Sequence, residues 1–166
     1  MYTIISGTNR SGSNTIKIAG QYRQMLSKRG VDAAIISLVD FDVSDRNASI
    51  RQLEQKILIP TTKFIFISPE YNGSIPGVLK SLIDNTDIEK VWWGKKALLV
   101  GVSTGRAGNI RGMDHLTGIL NYIKVVVHPN KLPISVVHKL VDVEGLVVDK
   151  STLDAINLQL DEFIAF

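Results

Sequence analysis

Cysteine does not occur anywhere in the chain. Its absence removes thiolate catalysis, zinc–thiolate sites and disulfide staples together, and it suits a reducing compartment, so a cytoplasmic setting is expected. Long hydrophobic runs are missing as well: no stretch approaches the roughly 20 apolar residues of a membrane span. The opening MYTIISGTNR has neither a basic leader nor an extended apolar segment, which marks it as a strand in expectation rather than a secretion signal. Excess charge of one sign is also scarce. Lysine and arginine number 19 against 16 aspartates and glutamates, a net charge of +3, and the basic residues are dispersed. That distribution leaves no nucleic-acid footprint and is compatible with a small anionic ligand. What is present is a chain of 166 residues, 45% hydrophobic and 21% charged, long enough for one globular domain over 1–166 to bury a core without crosslinks or a structural metal.

Runs rich in β-branched residues recur at Tyr2–Ser6, Ala33–Ser37, Phe64–Ser68, Ala97–Ser103 and Val125–His128. The first four are almost continuously apolar, the pattern of strands buried on both faces. Helical spacing fills the intervals. Ile18, Tyr22, Met25 and Leu26 share a face that closes at Lys28-Arg29-Gly30, and Leu53 with Ile57 marks a weaker second helix. Pro76 can open a third helix carrying Val78, Leu79, Leu82 and Ile83, and a fourth carries Met113, Leu116, Leu120 and Ile123. The last, from about Thr152, carries Leu153, Ile156, Leu160, Phe163 and Ile164. Strand and helix alternate about five times, which predicts an α/β fold: a doubly wound, five-stranded parallel sheet in three layers.

Ligands of such sheets lie beyond the carboxyl ends of the strands, where strand order reverses. Three loops rich in Gly, Ser, Thr and Asn occupy those ends: Gly7–Asn14, Pro69–Gly73 and Ser103–Gly112. The first, GTNRSGSNT, runs from strand into helix, and Thr8, Arg10, Ser11, Ser13, Asn14 and Thr15 can surround a phosphate at the helix N-terminus. It lacks the Walker lysine, since Ser13 stands there, and it lacks the triple-glycine dinucleotide fingerprint, since Asn9 replaces the second glycine. A loop for one terminal monophosphate survives these tests. The plainer reading is a polar loop in which Ser13 or Asn14 caps the helix.

The second loop, within SPEYNGSIPGVLKSLID, exposes main-chain N–H groups, and Gly73 leaves room for a flat ring against the backbone. Together GTNRSGSNT, PEYNGSIPGVLKSLID, GKKALLVGVSTGRAGNIRG and HKLVDVEG, in this order and spacing, resemble the NADPH-dependent FMN reductase family of flavodoxin-like oxidoreductases. The resemblance spans nearly the whole chain. It implies that Thr8, Arg10, Ser11, Ser13, Asn14 and Thr15 grip the FMN phosphate, that Pro69, Glu70, Tyr71, Asn72 and Gly73 line the isoalloxazine, and that Ser103, Thr104, Gly105 and Arg106 close on its other side. It further implies a homodimer or homotetramer, and a ping-pong transfer from NADPH or NADH through FMN to a flavin, quinone, azo or similar small acceptor. The flavin N5 carries that chemistry, so no catalytic side chain is expected. The chain departs from the family where many members continue I-D-W, having Ile83-Asp84-Asn85, with Trp92 and Trp93 later.

Two other readings stand beside this one. The first is a non-enzymatic FMN electron carrier on the same fold, although such carriers tend to be strongly acidic. The second is a serine hydrolase, because Gly101-Val102-Ser103-Thr104-Gly105 matches G-x-S-x-G and is followed by Asp114, His128 and His138. Against hydrolysis, a nucleophile elbow turns straight into its helix, whereas Arg106–Asn109 prolongs this loop. His115 is expected on the polar side of its helix, His128 and His138 in structural roles, and the tandem tryptophans as packed edge residues rather than a pocket wall.

Overall fold

In a computed structural model that describes Met1–Phe166, the apolar runs become strands of one parallel sheet. The elements are β1 (Tyr2–Ser6), α1 (Asn14–Ser27), β2 (Ala33–Ser37), α2 (Ala48–Leu53), β3 (Lys63–Pro69), α3 (Gly77–Asp84), β4 (Lys96–Val102), α4 (Ile110–Tyr122), β5 (Val126–Val127), β6 (Leu132–Ile134) and α5 (Lys150–Ala165). Strand order is β2-β1-β3-β4-β5, all parallel, with β6 also pairing β4. This is the flavodoxin-like order, and it reverses between β1 and β3.

Period-two alternation sends successive side chains to opposite faces. Ile5, Phe64, Phe66, Ala97 and Leu99 pack under α2, α3 and α4, whereas Ile4, Ile65, Ile67, Leu98 and Val100 pack under α1 and α5. A strand covered on both sides has no place for an unpaired polar group in its middle, which is why the sequence runs are almost continuously apolar and the buried Thr3 of β1 pairs with Thr61 Oγ1 at 2.6 Å. No helix is long and apolar enough to cross a membrane.

The fifth strand position differs from the expected single run. β5 pairs with Lys96 and Ala97 at the start of β4, and β6 pairs with Val100–Val102 at its end. Between them Pro129 has no N–H to donate, and the chain turns before resuming at Leu132. The weak second helix also departs from regular form, because α2 passes into a π-helical segment at Glu54–Leu58. Glu54 is buried there, accepting from Arg46 Nη2 at 2.9 Å and from the N–H of Asp87. Pro76 sits one residue earlier than expected, at the N-cap of α3. Asn85 closes that helix, and its Nδ2 donates to the carbonyl of Val43 at 2.8 Å. The tryptophans separate: Trp92 is wholly buried against Phe64 and Phe66 and donates from Nε1 to Thr86 Oγ1, while Trp93 lies at the surface under Lys124 Nζ.

Asp149 caps α5, accepting on Oδ2 from both Oγ1 and N–H of Thr152, and these two bonds hold its carboxyl below the ordinary value of 3.8. A lowered folded-state value stabilises the fold in full above the ordinary value, and the contribution is lost as pH falls through the lowered one. Asp149→Asn keeps an oxygen for the cap and removes the titration. Thermal melting followed from pH 7 down to about pH 2 should show near-wild-type stability at neutral pH and a shallower fall on the acid side.

Candidate functional site

The loops after β1, β3 and β4 meet beyond the carboxyl ends of those strands, at the point where strand order reverses. Two adjoining clefts form there. The first, of ≈ 250 Å³, is lined by Thr8, Arg10, Ser11, Ser13, Asn14, Thr15, Pro69, Glu70, Tyr71, Val102, Ser103, Thr104 and Val137. The second, of ≈ 260 Å³, shares Glu70, Ser103 and Thr104 with it and adds Asn72, Gly73, Gly105, Arg106 and Ala107. Every residue that the resemblance assigns to the cofactor lines one cleft or the other. Together the clefts reach the size range of small-molecule sites, about 300–1,000 Å³. Larger grooves of ≈ 510 Å³ lie along α1 and β2 and between α3 and α4, but neither gathers the polar ends of central strands.

At one end of the first cleft stands the start of α1. Ser13 is its N-cap, accepting from the N–H of Ile16 at 3.4 Å and paired with Thr15 Oγ1 at 2.7 Å. Capping and ligand binding are therefore compatible roles for this loop. The N–H groups of Ser11, Gly12, Asn14 and Thr15 have no partner within the protein, and the helix dipole adds partial positive charge at the same place. Gly12 takes a left-handed φ of 63°, which a larger residue would resist. Arg10 supplies a full charge. The donor set suits a compact dianion.

The second loop makes the opposite wall. Tyr71 and Ser74 exchange main-chain hydrogen bonds of 2.9 and 3.1 Å, with Asn72 (φ 52°) and Gly73 (φ 81°) between them. Positive φ at both central residues is the mirror-image tight turn that Asn-Gly favours. A Cβ at Gly73 would meet only the Arg111 guanidinium, at 3.8 Å, so backbone angle rather than crowding demands glycine. The turn is fastened to the helix behind it through Ser74 Oγ, 2.8 Å from His115 Nδ1. It also stands across the first cleft from Thr8, whose Oγ1 lies 2.6 Å from Tyr71 Oη.

The third loop is shaped by close main-chain packing. A Cβ on Gly101 would lie 2.1 Å from the carbonyl oxygen of Gly108, and one on Gly112 would lie 2.0 Å from Asn109 Oδ1. Gly108 and Asn109 are both left-handed, and Asn109 is fully buried. Its Nδ2 donates to the carbonyls of Ser68 and Pro69 at 2.9 and 3.0 Å, tying this loop to the end of β3. Its Oδ1 has no partner. An unsatisfied buried acceptor costs about 1–3 kcal/mol, so the tether is retained against a local penalty. Ser103 Oγ donates to the carbonyl of Gly105 and accepts from the N–H of Gly108. No histidine hydrogen-bonds it: His115 bonds Ser74, His128 accepts from the N–H of Asn130, and it is the N–H of Val137 rather than the ring of His138 that reaches the Ser103 carbonyl. The serine thus folds its own loop.

Sequence reasoning missed Val137, Val102 and Ala107 as lining residues, and Asn109 as the tether. The valines belong to no polar motif. Val137 is fully buried and reaches the cleft because its N–H bonds the Ser103 carbonyl, while Val136, left-handed at φ 48°, bonds the Gly105 carbonyl. A β-branched residue in that conformation is strained, and no local sequence signal marks it.

Gly101→Ala should displace the third loop. Overpacking of this kind costs about 1–3 kcal/mol, so the melting temperature should fall while the circular dichroism spectrum stays native. Tryptic cleavage after Arg106 should accelerate, and an unchanged cleavage rate would show that the loop does not rest on this glycine.

A model of the protein family described as NADPH-dependent FMN reductase matches residues 2–139. The 2-hydroxy-1,4-benzoquinone reductase of a Burkholderia species is 30% identical over 132 residues, 76% of this chain and 70% of that protein. The quinone reductase of Escherichia coli strain K12 is 32% identical over 140 residues, 80% of this chain and 74% of its own. Among solved structures, the flavoenzyme FerB of Paracoccus denitrificans, an NAD(P)H:(acceptor) oxidoreductase, aligns with a TM-score of 0.79 at 21% identity. The alignment covers 99% of this chain and 94% of FerB.

Proposed function

The chain belongs to the NADPH-dependent FMN reductase family, and from that premise we propose a cytoplasmic FMN enzyme that passes reducing equivalents from NADPH or NADH to a quinone, flavin, azo or similar small acceptor by a ping-pong scheme. In this reading the whole of residues 1–166 serves as one FMN-binding domain. The observation that carries it is the convergence of three loops at the β1/β3 switch point, with phosphate-type donors at one end and a flat, glycine-containing turn at the other.

The donor chemistry fits FMN. Four unpartnered N–H groups from Ser11 to Thr15, the hydroxyls of Thr8, Ser11, Ser13 and Thr15, and the Arg10 cation would hold a terminal phosphate. The Pro69–Gly73 segment would line the ring, and Ser103, Thr104, Gly105 and Arg106 would border it on the other side. When bound, FMN supplies the acceptor and donor of hydride that no side chain of this chain can supply. The protein's part is positional and electrostatic. Main-chain N–H groups of Asn72 and Gly73, which the turn leaves free, would lie at the ring edge, where negative charge is favoured by fixed dipoles. A nicotinamide and an acceptor would enter in turn through the part of this two-part cleft that the ring leaves uncovered.

An FMN carrier without activity of its own is less well supported, because a chain of net charge +3 lacks the acidic docking surface expected of one. Reconstitution decides the matter. The protein should bind one FMN per chain, identified by mass spectrometry of the released cofactor, and should oxidise NAD(P)H with a benzoquinone and no partner protein. Ser103→Ala should keep turnover within about threefold, since the hydroxyl serves the loop; appearance of an esterase activity lost on this change would instead support hydrolysis. FAD as the bound cofactor, or no affinity for flavin, would overturn the proposed site.

A homodimer or homotetramer belongs to the same reading. The groove between α3 and α4 gathers Ile83, Ile88, Ile119, Tyr122 and Ile123 beside Thr86, Gly118 and the Lys80–Asp84 pair, and Tyr122 is 85% exposed, apolar surface that a second copy would cover. Tyr122→Glu should shift the sedimentation coefficient towards that of a monomer, and an unchanged value would move the interface elsewhere.

A further inference from the structure

Tyr71 touches both components of the phosphate loop. Its Oη lies 2.6 Å from Thr8 Oγ1, and the Arg10 guanidinium lies over its ring with Cζ 4.3 Å from the centroid. Thr8 Oγ1 in turn accepts from the main-chain N–H of Arg10 at 3.2 Å, so Thr8, Arg10 and Tyr71 contact one another pairwise. The same tyrosine begins the Tyr71–Ser74 turn that walls the second cleft.

A guanidinium held over an aromatic ring without hydrogen-bonding to it keeps its N–H groups for an anion. Arg10 is otherwise an exposed residue on a glycine-containing loop, and its side chain makes no hydrogen bond within the protein. The ring therefore supplies the orientation that the loop itself lacks. Conversely, an anion that fixes Arg10 also fixes the ring beneath it, and with the ring the turn that borders the other cleft.

Resting on the FMN reading of this site, we propose that Tyr71 is a positioning residue that couples the phosphate end of the site to the ring end by holding Arg10 in its phosphate-binding orientation. The coupling operates in both directions, as any linkage of binding free energies must.

The test is a double-mutant cycle on the full-length protein freed of flavin, titrated with FMN and with riboflavin by fluorescence quenching. Tyr71→Leu should weaken FMN about two- to fivefold more than it weakens riboflavin, the worth of one exposed cation–π contact. In an Arg10→Ala background the same change should cost FMN little beyond what it costs riboflavin. Tyr71→Phe keeps the ring under Arg10 and should hold the FMN-to-riboflavin affinity ratio near wild type. Arg10→Lys, which preserves charge but not the planar guanidinium, should lower that ratio and remains informative if Tyr71→Leu does not fold. Additive losses in the cycle, equal losses for both ligands, or a wild-type ratio in Arg10→Lys would each overturn the coupling. Failure of the wild-type protein to bind FMN would overturn the cofactor reading itself, and the two failures are thereby separate.

Discussion

A parallel strand buried on both faces has no place for an unpaired polar group except at its ends. β1, β3 and β4 are in that position: their middles are wholly enclosed, their N–H and C=O groups are consumed by lateral pairing, and both core layers depend on the arrangement. Polar chemistry is therefore displaced to the carboxyl ends of the strands. At the β1/β3 switch point the flanking helices diverge, since the connection after β1 leads to one side of the sheet and those after β3 lead to the other. The cleft opens in that gap, and the start of α1 supplies positive potential there without any buried charge.

Holding three loops in register at such a gap requires conformations that most residues avoid. Asn72-Gly73 and Gly108-Asn109 are two consecutive left-handed pairs, and Val136 is a third left-handed site without glycine. Each is fixed from outside itself: the first by the Tyr71–Ser74 bridge, the second by the bonds from Asn109 to β3, the third by hydrogen bonds to the Ser103–Gly105 segment. The rigidity of the site is thus borrowed from the sheet. This arrangement also explains the G-x-S-x-G match, in which Gly101 permits main-chain contact and Ser103 bonds its own loop, with no nucleophile implied.

Much of this was legible beforehand because the signals are local. Almost continuous apolar runs identify doubly covered strands, Ser13 before an amphipathic stretch identifies a helix start, and Asn72-Gly73 identifies a tight turn. The family resemblance rested on the same loops, so the lining of both clefts could be anticipated residue by residue except for Val102, Ala107 and Val137. Less legible was anything whose cause lies far away in sequence. Val137 lines the cleft only because β6 runs beside the end of β4, and β6 was not anticipated because three residues containing a proline resemble no strand. The split of the tryptophan pair likewise followed from which neighbour faced Phe64 and Phe66.

By itself the sequence determined the layers, the parallel sheet and the identity of the three polar loops, because hydrophobic period and turn chemistry are properties of neighbouring residues. Tertiary structure alone decided how those loops meet: the Tyr71 hydroxyl on Thr8, Arg10 over the tyrosine ring, the Asn109 tether to β3, and the burial of Val137 against Ser103. Each of these contacts joins residues tens of positions apart. Their geometry depends on strand order and register, which are set only when the whole sheet closes and every buried main-chain group has found its partner.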